Sequence, residues 1–260
     1  MTTSFVYECL DSVDSTNTYL KEHPKLWNQN FYTLRAINQT NGRGRHGRNW
    51  FSGKNNLTFS FIFNSLNLFN TLDISSLTIY AGLVLRNALS RISKLPVLIK
   101  WPNDITYQNK KLCGILTEMV QIKESKIVII GIGVNLNTDQ IPEELLEKTT
   151  SLKDITKKDF SPELVLNEIM NDMVQYLPTY NLPFSESICA EFAANCDRDA
   201  NLVTLVDKNT KSIIRKKFDI LGINEHGLLS VIDENGNHNY INANELEFNQ
   251  NPKNQNKDTI

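Results

Sequence analysis

"ITYQNKKLCGILTEMVQIKESKIVIIGIGVNLN", residues 105–137, sets three apolar strand-like runs almost end to end. The first two, Ile105–Tyr107 and Leu112–Ile122, read as a hairpin joined by the polar turn QNKK (108–111). A third run, Lys126–Asn137, follows the polar break KES, and its Gly131 and Gly133 let something approach the backbone closely. Hairpins and long strands mixed with helices make this an α+β domain rather than a doubly wound one.

Upstream, PVLIKW (96–101) is a short buried strand leading into PND. From Asp73 to Ser93, apolar Leu77, Tyr80, Val84, Ala88 and Ile92 recur at helical spacing. NLTFSFIF (56–63) carries Leu57, Phe59, Phe61 and Phe63 with period two and reads as a half-buried strand. FYTLRAINQ (31–39) and FVYECLDSV (5–13) are two more strands, with the capped helix DSTNTYLKEH (14–23) between them.

Downstream, Ser161 and Pro162 open a helix over 161–177, and 185–195 form another that ends near Cys196. Short strands then follow at 202–207, 212–223, 227–233 and 239–248, broken by DKNT, NEHG and DENG, which suggests a small β-barrel. The expected domains are 1–197 and 198–250, with a boundary near 196–200 and a polar, disordered tail at 251–260.

A chain of 260 residues that is 40% hydrophobic can bury a sizeable core. Its net charge of −2 argues against a surface coated for nucleic acid, where a domain pI above about 9 is usual. The polar start shows no signal peptide, and no apolar run of about 18 residues could span a bilayer, so the expected setting is cytoplasmic. Cys9, Cys113, Cys189 and Cys196 form no CxxC pair, and the four histidines are scattered. Free thiols are expected, not a zinc site.

Against that background "NGRGRHGRNW" (41–50) stands out, with three arginines, three glycines and a histidine ahead of Trp50. It could be a solvated basic loop, a nucleic-acid contact with Trp50 stacked on a base, or a grip for a small anion. Its spacing matches neither the P-loop nor the dinucleotide fingerprint. Gly42, Gly44 and Gly47 expose N–H groups that can converge on an anion, and Arg43, Arg45 and Arg48 offer bidentate forks. Without a ligand, like charges and glycine entropy should leave the loop mobile.

In KWPND (100–104), Pro102 and Asn103 end a strand and leave Asp104 at a turn. Lys110 and Lys111 read by themselves as an exposed turn, and because they face opposite ways along a strand only one of the two is expected to be functional. Alternation puts Lys111 on a face with Cys113 and Ile115, while Gly114 leaves its position open for a ligand.

The order DSTN, QTNGRGRHGRNWFS, KWPND, KKLCGIL, GIGVNLN closely resembles the biotin protein ligases, strongly over residues 10–137. The resemblance implies a class II synthetase-like mixed sheet with helices, followed by a small SH3-like β-barrel domain. It also implies that Ser15, Thr16 and Asn17, with Gln39, hold the ureido region of biotin. Gly42, Arg43, Gly44 and Arg45 would lie over biotin and the activated phosphate. Lys111 would reach the biotin carboxylate and the α-phosphate of ATP. Gly114, Ile115 and Leu116 would line the pocket, and Gly131 would allow close approach. Arg43, Arg45, Arg48, Trp50, Lys100, Asn103, Lys111 and Asn135 would serve ATP.

Asn41 and Cys113 stand where the family usually has alanine, and NANELEF (242–248) replaces its Gly-Glu. Only 14 residues precede Ser15, too few for a helix-turn-helix, so a monofunctional ligase without DNA binding is expected. The implied chemistry joins biotin to ATP as biotinyl-5′-adenylate with Mg²⁺ and releases pyrophosphate. Biotin then passes to a lysine of a biotin carboxyl carrier protein. Lys111, Arg45 and Asp104 are the candidate catalytic residues, Asp104 as a possible metal or amine orienter, with loop 41–50 as a lid. The chain could act as monomer or dimer. Rival readings are a lipoate–protein ligase, whose Arg-Arg and Gly-Gly-Gly stretches are missing here, and a nucleic-acid-binding module.

Overall fold

A computed structural model describes residues 5–53, 55–64, 73–122, 125–137, 143–198, 202–206 and 213–243. The chain divides into two compact units, Met1–Leu182 and Pro183–Ile260.

In the first unit the order is β1 (Tyr7–Val13), α1 (Thr16–Glu22), β2 (Thr33–Gln39), β3 (Leu57–Phe63), α2 (Ile74–Ser93), β4 (Leu98–Lys100), β5 (Asp104–Tyr107), β6 (Lys110–Ile122), β7 (Ser125–Val134), α3 (Leu152–Thr156) and α4 (Pro162–Tyr176). The strands form one seven-stranded sheet ordered β1-β2-β3-β7-β6-β5-β4. Of these strand pairings β1–β2 alone is parallel; the others, including the β5–β6–β7 hairpins, are antiparallel. The sheet is mixed and the domain α+β, as the hairpin reading required.

The expectation for β3 needs correction. All seven of its residues are buried, not every second one. Leu57, Phe59, Phe61 and Phe63 fill one side. On the other, Thr58 and Ser60 pair in register with Gly133 and Gly131 and lie beneath α1. A central strand covered on both faces loses its polar alternation. Further along the α1 side, Ile62 joins Leu20, Trp27, Leu34, Ile127 and Ile129 in a buried cluster.

Helix starts follow their cap chemistry except at α1, where Ser15 holds the N-cap position without a side-chain cap hydrogen bond, contrary to the cap expected there. Asp73 accepts from Ser75 and Ser76 N–H at the head of α2, and Ser161 caps α4 ahead of Pro162. The capping box of Ser151 and Asp154 starts α3, a helix the periodicity did not suggest because it has only one apolar turn. The turn 108–111 is shorter than expected. Gln108 and Asn109 alone take positive φ (49° and 64°), and both lysines belong to β6. Asp104 likewise opens β5 instead of sitting in a turn, paired with Lys100 and Gly114.

The second unit contains α5 (Glu186–Asn195), β8 (Leu202–Val206), β9 (Ile213–Ile223), β10 (Leu229–Asp233) and β11 (His238–Ile241). Its strands form an antiparallel sheet ordered β11-β10-β9-β8. Helix α5 packs on β9, where a Cβ on Gly222 would come within 2.8 Å of Ala193 Cβ. That packing places α5 with the sheet, so the division falls ahead of the 196–200 boundary read from the sequence. The DKNT turn, most of NANELEF and the tail 251–260 lie outside the described residues. Among those described, no helix is long and apolar enough to cross a membrane.

Candidate active site

Three glycines form a floor on the α1 side of the sheet. Gly131 pairs with Ser60 and Leu116, and Gly133 with Thr58 and Gly114, so adjacent strands carry small residues side by side. Other side chains occupy the room this leaves. A Cβ on Gly131 would fall 2.2 Å from Asn17 Oδ1, and one on Gly133 would fall 2.3 Å from the Trp50 ring. Over Gly114 lie the Lys111 amine (3.1 Å from the Cβ position) and Trp50 Cζ3 (3.3 Å).

One end of the floor is polar and buried. The start of α1 brings Thr16 and Asn17 over β3. Thr16 N–H donates to Gln39 Oε1 (2.8 Å), Thr16 Oγ1 meets Ser60 Oγ (2.5 Å), and Ser60 O–H donates to Asn17 Oδ1 (2.6 Å). Asn17 Nδ2 donates to Glu118 Oε2 (2.7 Å) and the Leu116 carbonyl (3.2 Å). Gln39 Nε2 continues the chain to Ser52 Oγ at 3.0 Å. Ser15 is buried at the head of α1, where its N–H meets Asp14 Oδ1 at 2.6 Å.

The other end is cationic, and a break in register creates it. Ile105 pairs with Cys113 but Thr106 pairs with Lys111, which leaves Leu112 as an extra residue in β6. Such a bulge re-aims the side chains around it. Strict alternation had put Lys111 with Cys113 and Ile115. Instead its amine stands over Gly114, while Cys113 and Ile115 are buried and Ile115 Cδ1 points toward Gly82 of α2. Ile115 therefore borders the site through its backbone, and burial holds the Cys113 thiol far above its ordinary pKa, as an inert group.

Lys111 Nζ lies 2.7 Å from Asp104 Oδ1. Its main chain is anchored by Asn135, whose Nδ2 donates to Lys111 O (3.2 Å) and whose N–H donates to Leu112 O (2.9 Å). Asn103 stitches the β5 start to β6 through Ile115 and accepts from Arg45 at 3.3 Å. Arg45 is the arginine of the loop that turns inward, and burial lowers its pKa against the opposing pull of Asp104. Among the described residues no group of three or more His, Cys, Asp or Glu is placed to hold a metal. Asp104 is paired here with the Lys111 ammonium group.

Loop 41–50 closes as a small hairpin. Gly44 N–H donates to Arg48 O (2.7 Å) and Trp50 N–H to Gly42 O (2.9 Å), with a 3₁₀ turn at Arg45–Gly47 and positive φ at His46 (55°) and Gly47 (72°). Arg43 and Arg48 point outward on the exposed part, and Lys100 is half-buried on β4. Trp50 was expected to offer a flat face to a purine. Here its ring rests on Gly133, and the Lys111 amine lies 5.5 Å from the ring centroid. The Trp50 indole N–H is buried and meets no acceptor among the described residues.

The structure thus gathers Thr16, Asn17, Gln39, Gly114, Gly131, Arg45, Trp50, Asn103, Asp104, Lys111 and Asn135 along one face. Sequence reasoning passed over Ser60, Ser52 and Glu118 as site residues. Period two in β3 could have pointed to Ser60; nothing local points to Glu118.

Residues 9–135 match the biotin/lipoate A/B protein ligase family. The biotin protein ligase of Aquifex aeolicus, solved with biotin and ATP, aligns with TM-score 0.78 at 32% identity, over 93% of this chain and 97% of that one. The bifunctional ligase/repressor BirA of Bacillus spizizenii is 37% identical over 142 residues, 52% of this chain and 42% of its own. The biotin–[acetyl-CoA-carboxylase] ligase of Mycobacterium tuberculosis is 35% identical over 130 residues, 47% of this chain and 45% of its own. The chain spans about half the length of the curated relatives it matches.

Proposed function

The chain belongs to the biotin protein ligases, and we propose on that premise that it activates biotin with ATP and transfers it to a carrier-protein lysine. The observation that carries this reading is the glycine floor with opposite chemistry at its two ends. A hydrogen-bonding end suits a cyclic urea, and a cationic end suits a carboxylate meeting a phosphate.

A carboxylate oxygen of biotin attacks the α-phosphorus of ATP, a new P–O bond forms, and the bond to pyrophosphate breaks. Two anions approach each other, so the ammonium of Lys111 and the guanidinium of Arg45 offset the gathering charge. Mg²⁺ bound with ATP would supply further neutralisation of phosphate charge beside Lys111 and Arg45. In the second half-reaction the carrier lysine amine attacks the acyl carbon, AMP leaves, and the amine proton is lost. As Lys111 turns to the nucleotide, the Asp104 carboxylate can orient that amine.

The acyl phosphate anhydride must be kept from water. Hairpin 41–50, anchored through Trp50 on Gly133 and Arg45 on Asn103, is the part of the site suited to cover it. A lipoate ligase reading is less suited to the Thr16–Ser60–Asn17 end, because a dithiolane has no N–H groups to satisfy it.

ATP–pyrophosphate exchange with biotin, lipoate and octanoate offered separately tests the proposal. Exchange with biotin alone is expected; exchange with lipoate or octanoate and not biotin would overturn it.

A further inference from the structure

The polar end of the floor has a direction, and the direction starts at Glu118. An ionised carboxylate only accepts. Its Oε2 faces Asn17 Nδ2 at 2.7 Å, and its Oε1 faces Lys21 Nζ at 2.5 Å. Asn17 must therefore turn its NH₂ toward Glu118, and its second N–H reaches Leu116 O at 3.2 Å. Both amide protons are then committed, and Asn17 Oδ1 faces Ser60 and the floor at Gly131.

Ser60 has one proton and gives it to Asn17 Oδ1 at 2.6 Å. At 2.5 Å from Thr16 Oγ1 it can then only accept, so Thr16 turns its one proton toward Ser60, with Gln39 Oε1 as the more distant acceptor at 3.1 Å. The remaining capacity of the network is lone pairs on Asn17 Oδ1, Ser60 and Thr16. A pocket wired this way is complementary to a ligand that brings N–H groups.

We propose that Glu118 is a positioning residue that fixes the direction of hydrogen bonding through Asn17, Ser60 and Thr16, so that the pocket presents acceptors to ligand N–H groups. This rests on the reading of the site as one for biotin. Without an acceptor-only group at 118, Asn17 could reverse, and the same pocket would present a donor.

Glu118→Gln tests the idea with almost no change in shape. Lys21 requires the remaining carbonyl oxygen, which leaves the new NH₂ against Asn17 Nδ2 and forces the Asn17 amide to turn. In Lys21→Met/Glu118→Gln that competition is gone, and the introduced amide can offer its oxygen to Asn17 again. The probes are biotin and the two cyclic carbamates in which one or the other ureido N–H is replaced by oxygen, titrated calorimetrically into the full chain. Glu118→Gln should weaken biotin roughly ten- to a hundredfold and shrink its preference over the carbamates by a similar factor. Lys21→Met and the double variant should stay within about threefold of the parent in both respects. Equal weakening of all three ligands, or no recovery in the double variant, would overturn the role given to Glu118. Absence of biotin binding by the parent chain would instead bring down the reading of the site itself.

Discussion

Trp50 lies across Gly133, with both Cε2 and Cζ2 of its indole 2.3 Å from where a Cβ on that glycine would fall. The contact joins the Gly/Arg hairpin to the centre of the sheet. Gly133→Ala must push the indole off the floor at the end where Lys111 sits. The apparent KM for ATP should rise about tenfold or more, with a smaller effect on the KM for biotin. Gly131→Ala strikes Asn17 Oδ1, 2.2 Å from its Cβ position, so it should reverse that preference and raise the KM for biotin. Initial rates with each substrate varied in turn separate the two; an unchanged ATP dependence in Gly133→Ala would refute the anchoring role of Trp50.

Lys110 and Lys111 are neighbours with different surroundings. Lys110 is exposed beside the 108–109 turn, while Lys111 is held over Gly114 by the bulge at Leu112 and by Asp104 at 2.7 Å. Lys111→Ala should lower biotin-dependent pyrophosphate exchange by about a hundred- to a thousandfold, the scale of losing one charge-stabilising donor. Lys110→Ala should leave it within about twofold. Similar rates for the two variants would remove Lys111 from its assigned place.

How far the sequence carried this site can be judged at the same pair. Alternation separated Lys110 from Lys111, yet the face it assigned to Lys111 was not the one that side chain takes. A bulge arises from pairing with another strand and leaves no local mark at Leu112. The hairpin order in 105–137, the cap at Ser161 and the helix over 185–195 were readable, because they rest on near neighbours. The pairing of Ser60 and Glu118 with Asn17 was not, since it spans 43 and 101 residues of the chain. Helix α5 was found, but its allegiance to β9 depends on the Ala193–Gly222 contact, which spacing alone does not encode.

Arg45 links the hairpin to Asn103 at 3.3 Å, and burial already depresses its pKa, so its charge stands in a poorly hydrated place. Arg45→Gly removes that link and adds backbone freedom to a loop that already has three glycines. The adenylate should form but escape, labelling lysines on an unrelated protein such as serum albumin when biotin and ATP are present. The parent chain should label the bystander far less at equal adenylate formation. A variant that is merely slow, with no bystander labelling, would argue against a covering role for the hairpin.

A last prediction concerns stability, away from the site. Arg35 is buried at 4% exposure and pairs with Glu163 at the start of α4. The carboxylate of Glu163 is held below its ordinary value of 4.5 by its own backbone N–H, then by Arg35 and Ser161. A depressed carboxylate stabilises the fold in full above its unfolded pKa, and the contribution fades as pH falls through the lower, folded value. Glu163→Gln should therefore lower Tm at pH 7, by an amount on the order of 2–4 °C. That gap should hold at pH above the ordinary carboxylate value of 4.5 and close as pH falls through the lower, folded value, where the parent carboxylate takes up its proton and the two chains become electrically alike. Melts of both proteins across this range decide the matter, and a gap of constant size from neutral to acid pH would show that the pair does not act through its charge.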